Sequence, residues 1–149
     1  MAVKPIPDGY HTVTPFLLVK EASKVVEFLK RGFGAVESSR HTLPDGSIMH
    51  AELSIGDSNL MLAEANDKWP AMPSMLYLYV HDVDSVYKKA VQAGGKSLRE
   101  PTNEFYGDRS AGVIDMSGNQ WWIATHVEDV SPDEMMKRQE KFAKEAAQK

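Results

Sequence analysis

The sequence predicts an α+β fold made of two tandem βαβββ modules followed by a C-terminal helix. Two observations lead to it: a stretch that recurs at constant spacing, and the same order of strand and helix signals in each copy. Val19-Lys20-Glu21-Ala22-Ser23-Lys24-Val25-Val26 reads like Val80-His81-Asp82-Val83-Asp84-Ser85-Val86-Tyr87. Positions 19 and 80, 25 and 86, and 34 and 95 are each 61 apart, and the same offset lays Leu62-Ala63 on Ile123-Ala124. Several matches at one offset indicate duplicated units that complete a shared core.

The first module is expected over about 12–65. A strand near Thr12–Val19 leads into a helix that carries Ala22, Val25, Val26 and Leu29 on one side, with stop signals at Gly32 and Gly34. Strands follow near Ala35–Thr42, Ser47–Ile55 and Asn59–Glu64, separated by the turns Leu43-Pro44-Asp45-Gly46 and Gly56-Asp57-Ser58. Ala65–Ser74, with Pro70 and Pro73, reads as a linker. The second module, about 75–126, repeats the order. Strands fall near Met75–Val80, Lys96–Glu100, Ala111–Met116 and Gln120–Thr125, its helix carries Val83, Val86, Tyr87 and Ala90, and Ser117-Gly118-Asn119 supplies the hairpin turn. Ser131-Pro132-Asp133-Glu134 then starts a helix over about 132–147: a cap, a first-turn proline and a capping-box glutamate. Its face of Met135, Gln139, Phe142 and Ala146 suits docking on the body or on a partner subunit.

At 149 residues the chain suits one domain. It has no cysteine, which removes disulfides, thiol nucleophiles and thiolate metal sites and fits the reducing cytoplasm. No apolar signal peptide opens it and no apolar run of about 18 residues predicts a membrane span. Seventeen Lys and Arg are spread among 21 acidic residues without a basic stripe, so no nucleic-acid partner is expected. The five histidines show neither HxH nor HExxH spacing, and serine-elbow, Walker and Rossmann motifs are lacking. His11, His41 and His81 read as surface or capping residues.

Met49-His50-Ala51-Glu52-Leu53-Ser54-Ile55-Gly56-Asp57-Ser58, Tyr106-Gly107-Asp108-Arg109-Ser110 and Asp115-Met116-Ser117-Gly118-Asn119-Gln120-Trp121-Trp122-Ile123-Ala124-Thr125-His126 together give the chain a family likeness. From about Thr12 to His126 it resembles the vicinal oxygen chelate superfamily (glyoxalase I, extradiol dioxygenases, bleomycin-resistance proteins), and within it the PhnB-like, glyoxalase-like branch. The resemblance implies a curved mixed sheet around a cavity that takes a small organic molecule, and a homodimer. It also implies that the metal positions of such enzymes fall at Thr14, Met61, Met75 and Trp122, a set without imidazole or carboxylate donors. No metal ligand and no cofactor are therefore assigned.

Strand alternation gives the wall of that cavity. Met49, Ala51, Leu53 and Ile55 share the helix-side face with Leu60 and Leu62, and His50, Glu52 and Ser54 share the other with Met61 and Ala63. Met75, Tyr77 and Tyr79 form one face of their strand, and Trp122, Ala124 and His126 one face of theirs. The expected lining is Thr14, His50, Glu52, Met61, Met75, Tyr77, Tyr79, Arg109 and Trp122, with His126 near the mouth. Each member has a plain structural reading beside the functional one. His50 and Glu52 are either a solvated sheet surface or a general base and polar clamp. Arg109 is either an ion pair, with Asp108 its most local competitor, or a clamp on an anion. Tyr77, Tyr79 and Trp122 are packing or stacking surfaces, and His126 can bond within Val127-Glu128-Asp129.

Four functions fit these residues. The first is a binding protein that holds a planar or aromatic small molecule without metal. The second is a metal-independent lyase, isomerase or hydrolase in which His50 or Glu52 moves a proton and Arg109 clamps the anion. The third is a metal enzyme with displaced ligands drawn from His50, Glu52 or His126, and the fourth a purely structural role.

Overall fold

The computed structural model describes residues 2–149. Strand β1 (Phe16–Val19), helix α1 (Ala22–Phe33) and strands β2 (Val36–Thr42), β3 (Ile48–Ile55) and β4 (Ser58–Glu64) make the first module. Strand β5 (Met75–Tyr79), helix α2 (Val83–Gln92) and strands β6 (Lys96–Asn103), β7 (Asp108–Ile114) and β8 (Gln120–His126) make the second, and helix α3 (Pro132–Ala147) follows. Each module folds its strands into one mixed four-stranded sheet, in the orders β1-β4-β3-β2 and β5-β8-β7-β6. The repeat reappears in the register: Phe16 pairs with Met61, and Tyr77 pairs with Trp122, each 61 residues on.

β1 starts at Phe16 rather than near Thr12 because Pro15 has no N–H to give the ladder; its carbonyl still accepts from Met61 N–H at 2.9 Å. β7 begins at Asp108, three residues earlier than expected, just after a turn closed by Gly107 N–H on the Glu104 carbonyl. β6 runs on through Pro101, which an edge strand tolerates.

Both helices lie on the apolar face of their own sheet. Val25, Val26 and Leu29 of α1 are fully buried with Leu17, Val19, Ala51, Leu53 and Leu62. Val83 and Ala90 of α2 are buried with Ala111, Val113, Trp121 and Ile123. The modules meet through these helix-covered sides. Phe33 packs on Trp121 with ring centroids 5.4 Å apart, and Gly32 lies so close to α2 that a Cβ there would sit 3.0 Å from the Ala90 Cα. Met49 departs from the expected helix-side face. Pairing between β2 and β3 jumps from His41–His50 to Thr42–Ile48, and this bulge buries Ile48 while turning Met49 outward, 53% exposed.

The last strand of each module caps its own helix. Glu21 takes the left-handed conformation (φ 55°), uncommon for a non-glycine residue, and its side chain does not cap α1. Glu64 does so instead, accepting from the N–H groups of Glu21 at 2.9 Å and Ala22 at 3.2 Å. The equivalent Thr125 accepts from Val83 N–H at 2.9 Å while Asp82 accepts from Ser85 N–H at 3.2 Å. Glu64→Ala removes the only side-chain acceptor that reaches the start of α1 among the described residues, and an unfolding free energy lower by about 1–2 kcal/mol is expected in urea titration. An unchanged midpoint would mean that water replaces the cap without loss.

α3 begins as expected, with the Ser131 hydroxyl accepting from Glu134 N–H at 3.2 Å and Pro132 in its first turn. Arg138 ties it down by donating to Glu128 at 2.7 and 2.9 Å and to the Phe105 carbonyl at 3.2 Å, and Phe142 stacks on Phe105. No α3 residue is buried, and no helix among the described residues is long and apolar enough to cross a membrane.

Candidate functional site

The sheet faces that no helix covers carry the polar and aromatic side chains. On the second sheet, Tyr77, Trp122, Gly112 and Arg99 form one row across all four strands, because Tyr77 pairs with Trp122, Trp122 with Gly112 and Gly112 with Arg99. On the first sheet, Phe16, Met61, Glu52 and Ser39 form the matching row.

Asp108 organises one end of the second face. It is 3% exposed, yet all its partners are donors: the Tyr77 and Tyr79 hydroxyls each donate to Oδ2 at 2.9 Å, and His126 Nδ1 meets Oδ1 at 2.9 Å. Burial pushes the Asp108 carboxyl up, and the His126, Tyr77 and Tyr79 bonds outweigh it and hold the group below its ordinary value. His126 also places Nε2 2.7 Å from Asp129. A neutral imidazole has a single N–H, so two carboxylates on two nitrogens require the imidazolium. The bonds to Asp108 and then Asp129 accordingly raise the His126 pKa. Burial, then the neighbouring Tyr106, then Asp108 raise that of Tyr77, so both tyrosines stay protonated donors. Their rings stand edge to face 5.4 Å apart and remain open to solvent, Tyr77 43% and Tyr79 66% exposed.

Trp122 lies flat on Gly112, where a Cβ would come within 2.8 Å of the indole. Its Nε1 donates to Gln120 at 3.0 Å, and the Arg99 guanidinium carbon sits 5.0 Å from its ring centroid. Arg99 Nη2 donates to Ser110 Oγ at 2.6 Å and pairs with Glu104 at 2.6 Å.

On the first face the Glu52 carboxylate accepts from the Tyr10 hydroxyl and from Ser39 Oγ at 2.9 Å. The Tyr10 bond, then the Ser39 bond, lower the Glu52 pKa; burial and then Glu52 push that of Tyr10 up to about 12. His50 lies against Phe16, 5.8 Å between centroids, and no hydrogen bond joins it to Glu52 among the described residues. A cleft of about 760 Å³ opens at the other end of this face, walled by Phe16, Leu18, Met49, Ala63 and Trp69.

The residues expected on one wall are therefore divided. His50, Glu52 and Met61 belong to the first face. Met75, Tyr77, Tyr79, Trp122 and His126 belong to the second, and Thr14 sits before β1 with its hydroxyl on the His11 carbonyl at 3.3 Å. Arg109 lies on neither. It shares its side of β7 with Ala111 and Val113, which back onto Ile123 and Trp121, so its guanidinium reaches the first turn of α2 and donates twice to Asp84 at 2.8 and 2.9 Å. That pair raises the Arg109 pKa and lowers that of Asp84. The expected anion clamp at Arg109 is thus corrected to an ion pair, with Asp84 rather than Asp108. Besides the His126 imidazolium, the open face carries Arg99, to which the sequence reading gave no face and whose strand β6 is irregular on both sides of it. Asp108, Glu104, Ser110 and Tyr10 were missed too. Only Asp108 left a trace in the sequence, as an acid beside Gly107 at the start of a strand whose next-but-one neighbours are Ser110 and Gly112.

The positions at which the resemblance expects metal ligands do not fit a metal: Thr14, Met61, Met75 and Trp122 bring neither imidazole nor carboxylate, and no group of three His, Cys, Asp or Glu side chains is placed to hold a metal ion among the described residues.

The comparisons with known proteins agree with this architecture. The family model of the Glyoxalase/Bleomycin resistance protein/Dioxygenase superfamily matches residues 10–123. An uncharacterized protein from Mycobacterium bovis is 31% identical over 137 residues, covering 83% of this chain and 88% of its own. Among solved structures, TioX from Micromonospora sp. ML1 superposes with a TM-score of 0.69 at 22% identity, over 78% of this chain and 99% of its own. The PhnB protein from Bacillus cereus does so with a TM-score of 0.62 at 19% identity, over 77% and 99%. The fosfomycin resistance protein FosX from Mesorhizobium loti gives 0.58 at 14%, over 77% and 91%. With the family model spanning both modules, the chain belongs to the glyoxalase/bleomycin resistance protein/dioxygenase superfamily.

Proposed function

We propose that this chain is a small-molecule-binding protein that holds a planar or aromatic ligand against its helix-free sheet faces without a metal, and that a second copy closes those faces in a homodimer. One observation carries the reading: large aromatic and thioether side chains stand exposed on or beside these faces, and Asp108 holds the hydroxyls of two of them, Tyr77 and Tyr79, from beneath. Tyr77, Tyr79, Phe16, Met75 and Trp69 are all exposed. Contiguous apolar surface rimmed by polar groups marks a site for a ligand or a partner. The family includes bleomycin resistance proteins, which agrees with binding as a function. Closure by a second copy is supported by the groove of about 1310 Å³ between the bare edges of β1 and β5. The absence of cysteine suits action in the cytoplasm.

Proton transfer by His50 or Glu52 has weaker support. A general base works best with a pKa near the operating pH, and the hydroxyls on Glu52 pull its value the other way.

The test uses metal-stripped protein. A library of aromatic metabolites and antibiotics is titrated while tryptophan fluorescence is followed, because Trp69 and Trp122 border the two faces. Light scattering gives the mass in solution. Quenching by planar compounds that are recovered unchanged, and a mass twice that of the chain, are expected. Failure of every compound to bind, or turnover of those that do, would remove the binding function; a monomeric mass at micromolar concentration would remove the closure.

A further inference from the structure

We infer that Arg99 reads an anionic group on the ligand, and that the ligand class is an aromatic carboxylate. The inference rests on the reading that the second face binds a planar molecule, and it adds which chemistry that face selects. Two of the five guanidinium N–H groups are committed, both on Nη2, toward Ser110 and Glu104. Nε and Nη1 meet no protein acceptor among the described residues, and the side chain is 41% exposed on the open face. The planar group is already fixed by Trp122 beneath it and by the Glu104 pair beside it. Little rotamer freedom remains to be lost when an acceptor arrives.

Glu104 offsets the formal charge, so what Arg99 offers is directional donors rather than a long-range field. Such donors favour an ionised acceptor over a neutral one, because charge-assisted hydrogen bonds are roughly twice as strong. The spacing suggests the rest of the ligand. Trp122 of β8 reaches over Gly112 of β7 and meets Arg99 there. The guanidinium thus lies about two interstrand spacings, roughly 10 Å, from β5, the strand that carries the exposed Tyr77 and Tyr79, whose rings lean toward Asp108 of β7. A bicyclic aromatic acid covers that distance with its ring on the tyrosines and its carboxylate at Arg99.

The experiment compares 2-naphthoate with its neutral isostere 2-naphthamide on the full chain, by calorimetry and by the NMR signal of the Arg99 Nε–H. In the wild type, naphthoate is expected to bind at least about tenfold more tightly than the amide and to shift the Nε–H signal. In Arg99→Gln the ratio is expected to fall to about one, while Arg99→Lys keeps part of it. Equal affinity for acid and amide in the wild type, or a preference that survives Arg99→Gln, would overturn the assignment while leaving the aromatic face intact. If neither compound binds, the reading of the face falls together with the inference. Should Arg99→Gln fail to fold by circular dichroism, the wild-type ratio and Nε–H shift decide alone.

Discussion

Asp108→Ala is expected to destabilise the fold by about 3 kcal/mol, read as a lower urea midpoint at an unchanged slope. The carboxylate is nearly inaccessible and accepts from three side chains. Its removal leaves two tyrosine hydroxyls and an imidazolium without their common acceptor. Tyr79 and His126 can turn to water, since both are substantially exposed, and this keeps the loss at the lower end for a buried ionic group. The pH dependence should change as well. The folded His126 pKa is raised, so its contribution is complete below the unfolded value of about 6.5 and is lost as pH rises through the higher folded value. The folded Asp108 pKa is lowered, so its contribution is complete above about 3.9 and is lost as pH falls through the lower folded value. The pair is therefore intact across mildly acidic pH, and wild-type stability should decline from pH 6 to pH 9. In Asp108→Asn the decline should shrink, and the His126 titration seen by NMR should move down, leaving only the Asp129 contact to hold it up. A midpoint for Asp108→Ala within about 0.5 kcal/mol of wild type would show that water satisfies the cluster equally well.

The repeat was legible because a duplicated βαβββ unit writes its helix-side positions twice, and the paired registers Phe16–Met61 and Tyr77–Trp122 keep the constant spacing. Alternation also separated His50, Glu52 and Met61 correctly from Ala51, Leu53 and Leu62. It failed where the ladder is irregular. Met49 sits beside a register shift, and a single extra residue swaps the side chains beyond it to the other face; Arg99, flanked by two such shifts, lies on a strand to which alternation was not applied. Arg109 was a different kind of error: Ala111 and Val113 share its parity, and two apolar neighbours at even spacing already pointed to the helix side. The Asp108 hub was illegible for a third reason. Its partners come from β5 and β8, and strand order, which no local pattern encodes, brings them together. How the two modules sit relative to each other was likewise hidden. It depends on the approach of Gly32 to Ala90 and of Phe33 to Trp121, contacts made by residues that read as an ordinary helix end and an ordinary strand.

The adjacent tryptophans offer the sharpest separation of folding from binding. Trp121→Ala is expected to remove about 4 kcal/mol, because the whole indole is buried and the cavity it leaves lies at the junction of the modules. The loss is compounded at Asp115, itself buried, which accepts from Trp121 Nε1 at 2.9 Å and would keep only its turn and Asn119 donors. Against a total stability of about 5–15 kcal/mol, a fall of roughly 10 °C in melting temperature follows. Trp122→Ala, one residue on and facing the opposite way, exposes the backbone of Gly112 and frees Arg99 from its stacking surface at a cost of about 1 kcal/mol or less. Its effect should instead appear in affinity for the aromatic acid, which loses both the floor of the site and the fixed orientation of Arg99. Differential scanning calorimetry and naphthoate titration on the same two variants give opposite rankings if the faces are assigned correctly. Equal thermal losses would mean that Trp122 is core rather than binding surface, and unchanged affinity in Trp122→Ala would place the ligand elsewhere.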